Sequence, residues 1–281
     1  ALLTVTTTPA QYPALPGHAA LSLNRCNLPA RVLGSVAFQK APQWLWLDGV
    51  MELHQAFFHS LKPFEKAATR ASCFRDYMSS CFLLDHLDQA GLNPDAACAR
   101  PRADFLRMLR GWMFDADSRE AAVLKGWVES RFGLRPGYHL GPVGSYHSDS
   151  YRMFQAARAQ GLYNTNALEA QLDVLYAWCQ YELRRRWPDT LHFSLYRGAN
   201  GWRQHDVLAS LPDNRHILLL NNLNSFSSDK EHADAFGDTL LVTEVPAAKI
   251  LWFPGLLPGV LPGEKEFLVI GGLYDVQRLL W

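Results

Sequence analysis

Three short marks in the last third of the chain carry side chains suited to sugar and phosphate chemistry. They are Tyr196, Arg197, Gly198; then Ser225, Phe226, Ser227; then Glu264, Lys265, Glu266. The run from Glu264 to Ile270, with Gly263 before it and Gly271 and Gly272 after it, reads as a strand. Successive strand side chains point to opposite faces, so Glu264 and Glu266 would share one face, about 7 Å apart, and Lys265 would take the other. The same parity places Ser225 and Ser227 together and turns Phe226 toward apolar surroundings. Arg197 closes the run Leu191 to Tyr196, and Gly198, lacking a Cβ, would let a ligand come close to the backbone. A guanidinium fork suits phosphate, hydroxyls suit sugar, and paired carboxylates suit a sugar carbon that develops positive charge. Together they describe a nucleotide-sugar site.

The elements that must hold these marks fall into two blocks. Residues 1 to 47 have scattered Pro and Gly and no sustained period, which predicts an irregular arm. Within it, Asn24 and Arg25 either belong to a turn that ties the arm down or reach a dinucleotide pyrophosphate. From Asp48 to Trp187 the pattern is helical. A first apolar set, Met51, Leu53, Phe57, Phe58 and Leu61, ends at Pro63, which stops or restarts the helix. Helices follow at about 64–90 (stripe Cys73, Tyr77, Cys81, Leu84, Leu87), 103–114, 118–132, 148–160 and 166–187. The last has a capping-box-like Asn166 and Glu169, a stripe of Leu168, Leu172, Leu175 and Cys179, and a basic end at Arg184, Arg185 and Arg186. That end reads as a solvated terminus or as a binding patch.

Beyond Pro188 the pattern changes to short runs at 191–196, 217–220, 240–245, 249–253, 267–270 and 274–279. Helices in one block and strands in the next predict an α+β chain: 1–187 as irregular arm plus helical region, and 188–281 as a β-rich NAD-binding catalytic region packed with it. The segment 254–263, rich in Pro and Gly, is either an exposed apolar contact made by Leu256, Leu257, Val260 and Leu261 or a connector whose leucines pack inward.

With 281 residues, 48% hydrophobic and 12% aromatic, the chain can bury a large core. Lys plus Arg equals Asp plus Glu at 27 each, so there is no electrostatic case for nucleic acid or an anionic membrane surface. Cys26, Cys73, Cys81, Cys98 and Cys179 form no Cys-x-x-Cys pair, which predicts reduced core thiols and no zinc site. The ten histidines show no ligand spacing, so no catalytic metal is expected. No apolar stretch approaches the roughly 20 residues of a membrane span.

The ordered marks resemble the Arg, Ser, Glu class of mono-ADP-ribosyltransferases, and the Glu, Lys, Glu form resembles its arginine-modifying branch. The stretch Gly161 to Leu172, with Tyr176, Cys179, Gln180, Tyr181, Glu182 and Leu183, and the run Leu195 to Asn200 resemble the dinitrogenase reductase ADP-ribosyltransferases. That resemblance runs from about residue 20 to the end. It implies a split β-sandwich and a cytoplasmic enzyme that moves ADP-ribose from NAD, its substrate, to an arginine of the nitrogenase iron protein. It also implies control by a PII-class signalling protein.

By the same resemblance, Glu266 would bind the hydroxyls of the nicotinamide ribose and Glu264 would hold the acceptor guanidinium and act as base. Ser225 would brace Glu266, Arg197 the phosphates, and Gly198 the nicotinamide amide. Where the family usually has Thr in the serine mark this chain has Phe226, so Ser227 is the weaker second candidate. Three alternatives share these marks: a glycosidase, a toxin-like transferase or NAD glycohydrolase with another target, and a non-catalytic nucleotide-binding module.

Overall fold

The computed structural model describes residues 12–85, 103–163, 167–200, 206–261 and 265–279. Ten α-helices are described: α1 (Ala30–Leu33), α2 (Val36–Lys40), α3 (Val50–Leu53), α4 (Gln55–Ser60), α5 (Ala67–Phe82), α6 (Phe105–Phe114), α7 (Arg119–Phe132), α8 (Asp149–Gly161), α9 (Ala167–Arg186) and α10 (Lys230–Asp234). Six strands follow the helical block, with α10 set among them: β1 (His192–Ala199), β2 (Asp206–Leu211), β3 (Arg215–Ser227), β4 (Thr239–Pro246), β5 (Ile250–Trp252) and β6 (Glu266–Leu279). The chain is α+β with its helical part first.

Local chemistry sets the helix ends. Side chains of Asp104, Ser118, Ser148 and Asp229 accept the orphan backbone N–H groups that open α6, α7, α8 and α10. Gly133 closes α7 with φ 71°, the left-handed region that glycine enters without a Cβ clash.

All strand pairings are antiparallel. β3 and β6 pair along most of their length, from Arg215↔Gln277 to Ser227↔Glu266. β1 joins β3 through Tyr196↔Ser227 and runs beside β4 from His192↔Pro246 to Ala199↔Thr239. β4 returns to β6 through Leu240↔Leu279 to Val242↔Gln277, so β3, β1, β4 and β6 close a circuit. Closure removes free edges, which would otherwise be open to stray pairing. β2 flanks β3, and β5 flanks β6.

The two runs expected at 267–270 and 274–279 are one strand. Gly271 and Gly272 do not end it. They sit where β3 bulges between Leu220 and Leu223 and where the turn after α1 crosses. A Cβ on Gly271 would lie 1.8 Å from the Asn221 carbonyl oxygen, and one on Gly272, at φ 108°, would lie 2.8 Å from the Gly34 Cα. The glycines are there because backbone crosses backbone. The bulge also exports Asn222, whose Nδ2 donates to the Lys125 and Leu134 carbonyls at 2.7 and 3.0 Å and ties the sheet to α7.

Buried residues of both blocks form a single cluster. α9 lies against β5, with Leu168, Leu172, Leu175 and Cys179 fully buried as its stripe requires. Gln180 donates to the Ala247 and Ile250 carbonyls, and the Tyr176 hydroxyl to Ala248. Gln39 of α2 reaches Thr243, Glu244 and Asp275, stitching the arm to the sheet.

Several expectations need correction. α5 does not bury the stripe Cys73, Tyr77, Cys81. Its inner face is Arg70, Ala71, Phe74 and Met78, because Phe74 stacks on Trp178 at 4.8 Å and Arg70 forms a bidentate pair with buried Glu182 at 2.6 and 3.0 Å. Of the described cysteines, which are all free, Cys26 and Cys179 are buried and Cys81 is exposed. The basic end of α9 is neither a solvated tip nor a patch. Arg184 lies over the Trp44 ring, Arg185 donates to the Lys62 and Phe64 carbonyls, and Arg186 donates to Glu182 and the Gly255 carbonyl. In the 254–263 segment Leu256 and Leu257 are buried and Val260 and Leu261 pack on the core, so those leucines hold the connector down. Cys98, Asn166 and Leu87 lie outside the described residues.

Candidate active site

Sheet register brings the marks together. Tyr196 stands opposite Ser227, and Ser227 stands opposite Glu266, so one row across β1, β3 and β6 holds a residue of each mark. Glu266 and Ser227 face the same way, and Ser225 is the diagonal neighbour of Glu266 on that face. The Ser225 hydroxyl donates to Glu266 Oε1. Phe226, with opposite parity, is buried.

Arg197 reaches this row through the main chain. Its Nη1 donates to the Ser225 carbonyl at 2.8 Å, and its guanidinium lies 5.9 Å from the centre of the Phe226 ring. Its Nε is shielded from water and has no hydrogen-bond partner among the described residues. Burial lowers the pKa of Arg197 from its ordinary value, and the Glu266 charge opposes that shift. The charge is kept close to Glu266 and away from water.

Gly198 is crowded by protein. A Cβ there would meet the Ala233 carbonyl oxygen at 2.2 Å, so the glycine lets the α10 segment lie against β1. Ser227 is buried, and its Oγ accepts the Asp229 N–H at 3.0 Å, fixing the turn into α10. Glu264 lies outside the described residues. Lys265, just before β6, pairs with Asp229 on the surface.

Asn24 does what a tie would do: its Nδ2 donates to the Leu28 and Phe132 carbonyls at 2.8 and 3.1 Å. The Arg25 side chain is exposed, while its backbone bridges Arg131 and Asp48. No hydrogen bond or ion pair joins either side chain to Arg197, Ser225 or Glu266.

Sequence reasoning missed Trp112. This residue of α6 is 4% exposed, and its indole N–H points at both Ser225 Oγ (2.9 Å) and Glu266 Oε1 (3.2 Å). A tryptophan on the inner face of an amphipathic helix reads as core, and nothing in its spacing ties it to a strand 154 residues away.

A family model described as "Dinitrogenase reductase ADP-ribosyltransferase (DRAT)" matches residues 23–278. The chain belongs to that family. Among curated proteins, the NAD(+)--dinitrogen-reductase ADP-D-ribosyltransferase of Rhodospirillum rubrum is 38% identical over 265 residues, covering 93% of this chain and 95% of that protein. No solved structure matches the chain. For a dinitrogenase reductase ADP-ribosyltransferase, the row of Tyr196, Ser227 and Glu266 is the natural place for chemistry at the sugar. Among the described residues no helix is long and apolar enough to cross a membrane, and no group of three or more His, Cys, Asp or Glu is placed to hold a metal ion.

Proposed function

We propose that this chain moves ADP-ribose from NAD to an arginine side chain of dinitrogenase reductase, releasing nicotinamide and switching nitrogenase off. The observation that carries the site assignment is the direct contact of Ser225 with Glu266 on the row where all three marks meet. Membership of the family supports the substrate pair.

Glu266 is the transition-state stabiliser. Ser225 engages Oε1, and no described residue donates to Oε2, so Oε2 is the atom that can take the ribose hydroxyls and face the positive charge that grows as nicotinamide leaves. Arg197 fixes the Ser225 backbone and holds the phosphates through donors that Ser225 does not use, Nε among them. The Gly198 backbone meets the nicotinamide amide.

The acceptor is the harder half of the reaction, because a guanidinium remains protonated far above neutral pH and is a poor nucleophile. Glu264 orients it and takes its proton. Replacing Glu264 with Ala should therefore lower transfer to protein much more than it lowers hydrolysis of NAD. Parallel assays of nicotinamide release and protein labelling check this, and equal loss of both would remove the division of labour.

Incubation with labelled NAD and the nitrogenase iron protein, followed by peptide mapping, should place the label on one arginine. Labelling of actin or free agmatine in its place would point to a toxin-like transferase. No release of nicotinamide at all would leave a nucleotide-binding module. A PII-class protein is the proposed regulator and the cytoplasm the proposed compartment, both on the strength of the family resemblance.

A further inference from the structure

A buried indole N–H needs an acceptor, and in this chain the need is met in different ways. Trp127 donates to Asp173 at 2.7 Å, whereas the N–H of fully buried Trp178 has no partner. Trp112 alone among these three spends its N–H on the candidate active site, shared between Ser225 Oγ at 2.9 Å and Glu266 Oε1 at 3.2 Å. Because Ser225 itself donates to Oε1, the indole and the hydroxyl both act on one oxygen of the carboxylate. The other oxygen, Oε2, receives nothing from the described residues.

The indole is itself held. α6 lies tight on α7 at the preceding residue, where a Cβ on Gly111 would meet the Glu120 side chain at 2.4 Å. The Lys125 ammonium sits 5.7 Å from the centre of the Trp112 ring, and is fixed by Asp117 Oδ1 at 3.1 Å and the Tyr138 carbonyl at 3.0 Å. The Lys125 carbonyl in turn accepts from Asn222 in the β3 bulge, so the sheet and the helix that frames Trp112 are tied together. The indole therefore has a fixed origin from which to aim a carboxylate.

We infer that Trp112 is a positioning residue: its N–H, with the Ser225 hydroxyl, pins Glu266 Oε1 so that Oε2 is presented to the nicotinamide ribose. The inference rests on the proposed role of Glu266. It makes the helical layer a working part of the site, since a carboxylate on a strand has rotational freedom that one serine does not remove. Losing the aim would affect the transition state, where Oε2 must meet growing charge, more than ground-state binding of the dinucleotide, whose phosphates and adenine lie elsewhere.

The test is steady-state nicotinamide release by the full chain, with Trp112→Phe and with 3-benzothienylalanine placed at position 112. The second replacement keeps the indole shape and puts sulfur where the N–H was. A hydrogen bond to a charged group corresponds to roughly a 10- to 100-fold effect. The expected result is a fall of that size in kcat for both variants, with the KM for NAD changed by less than about twofold. If Trp112→Phe fails to fold, the isosteric replacement decides alone. An unchanged kcat with the isostere overturns the inference, as does a raised KM with kcat intact, which would make Trp112 a binding or packing residue. A wild-type chain that releases no nicotinamide overturns the proposed function itself, and this inference with it.

Discussion

Glu266→Gln should lower ADP-ribose transfer by ~10²- to 10³-fold, about 2.7 to 4 kcal/mol of transition-state stabilisation. Glutamine keeps the shape and can still accept from Ser225 and Trp112 through its oxygen, so the contacts that hold position 266 survive. What it removes is the negative charge facing the sugar carbon as nicotinamide departs. The loss should therefore appear in kcat, with an unchanged thermal midpoint and little change in the KM for NAD. Hydrolysis of NAD should fall in parallel with transfer, because both reactions cross the same charged transition state at the sugar. That parallel loss separates Glu266 from Glu264, whose replacement is expected to divide the two activities. Near-normal transfer by Glu266→Gln would remove Glu266 from the chemistry and leave Ser225 and Trp112 as ordinary packing around a buried acid.

The three marks were readable because strand parity is local: it needs only that the segments be extended, and β1, β3 and β6 are. Their meeting in one row was not readable. It depends on the register Tyr196↔Ser227↔Glu266, which is set by the bulge at Asn221 and Asn222 and by long-range pairing. β2 was missed although Val207, Ala209 and Leu211 alternate, because the strand is short and carries Asp206 and Ser210. β6 was divided in two because two glycines within a strand read as punctuation, and only the crossing of Gly34 and Asn221 shows what they make room for. The inner face of α5 was displaced for a related reason. A stripe read from hydrophobicity alone cannot foresee that Arg70 goes inward when Glu182 awaits it on another helix. In each case the missing information is a partner distant in sequence, and Trp112 is the instance with consequences for catalysis.

The same bulge explains a lysine that the chemistry does not use. Lys249 is fully buried, and its Nζ donates to the Gly271 carbonyl at 2.7 Å, with the Tyr274 and Phe38 rings 4.7 and 5.8 Å from it. The β3–β6 register steps from Leu220↔Gly272 to Leu223↔Ile270, so Gly271 is left opposite the bulge and the amine supplies a donor there. A neutral amine does this as well as an ammonium, and burial pushes the Lys249 pKa down from 10.5 to about 7. In the unfolded chain the side chain returns to its ordinary pKa. Above pH 10.5 it is neutral in both states and contributes no pH dependence. Between about 7 and 10.5 the unfolded chain binds a proton that the folded chain does not, so stability rises with pH. The slope is about 1.4 kcal/mol per pH unit, and below the folded pKa the cost of a buried charge is present in full. Lys249→Met has no such titration. The stability of the wild type relative to Lys249→Met, measured by chemical denaturation at pH 7, 8 and 9, should therefore increase with pH by about that slope as the other titrations cancel. Methionine gives up the bond to Gly271, which shifts the difference by a constant of about 1–3 kcal/mol but leaves its pH dependence intact. Parallel stability curves would mean that Lys249 stays charged in the folded chain, held by the carbonyl and the two rings.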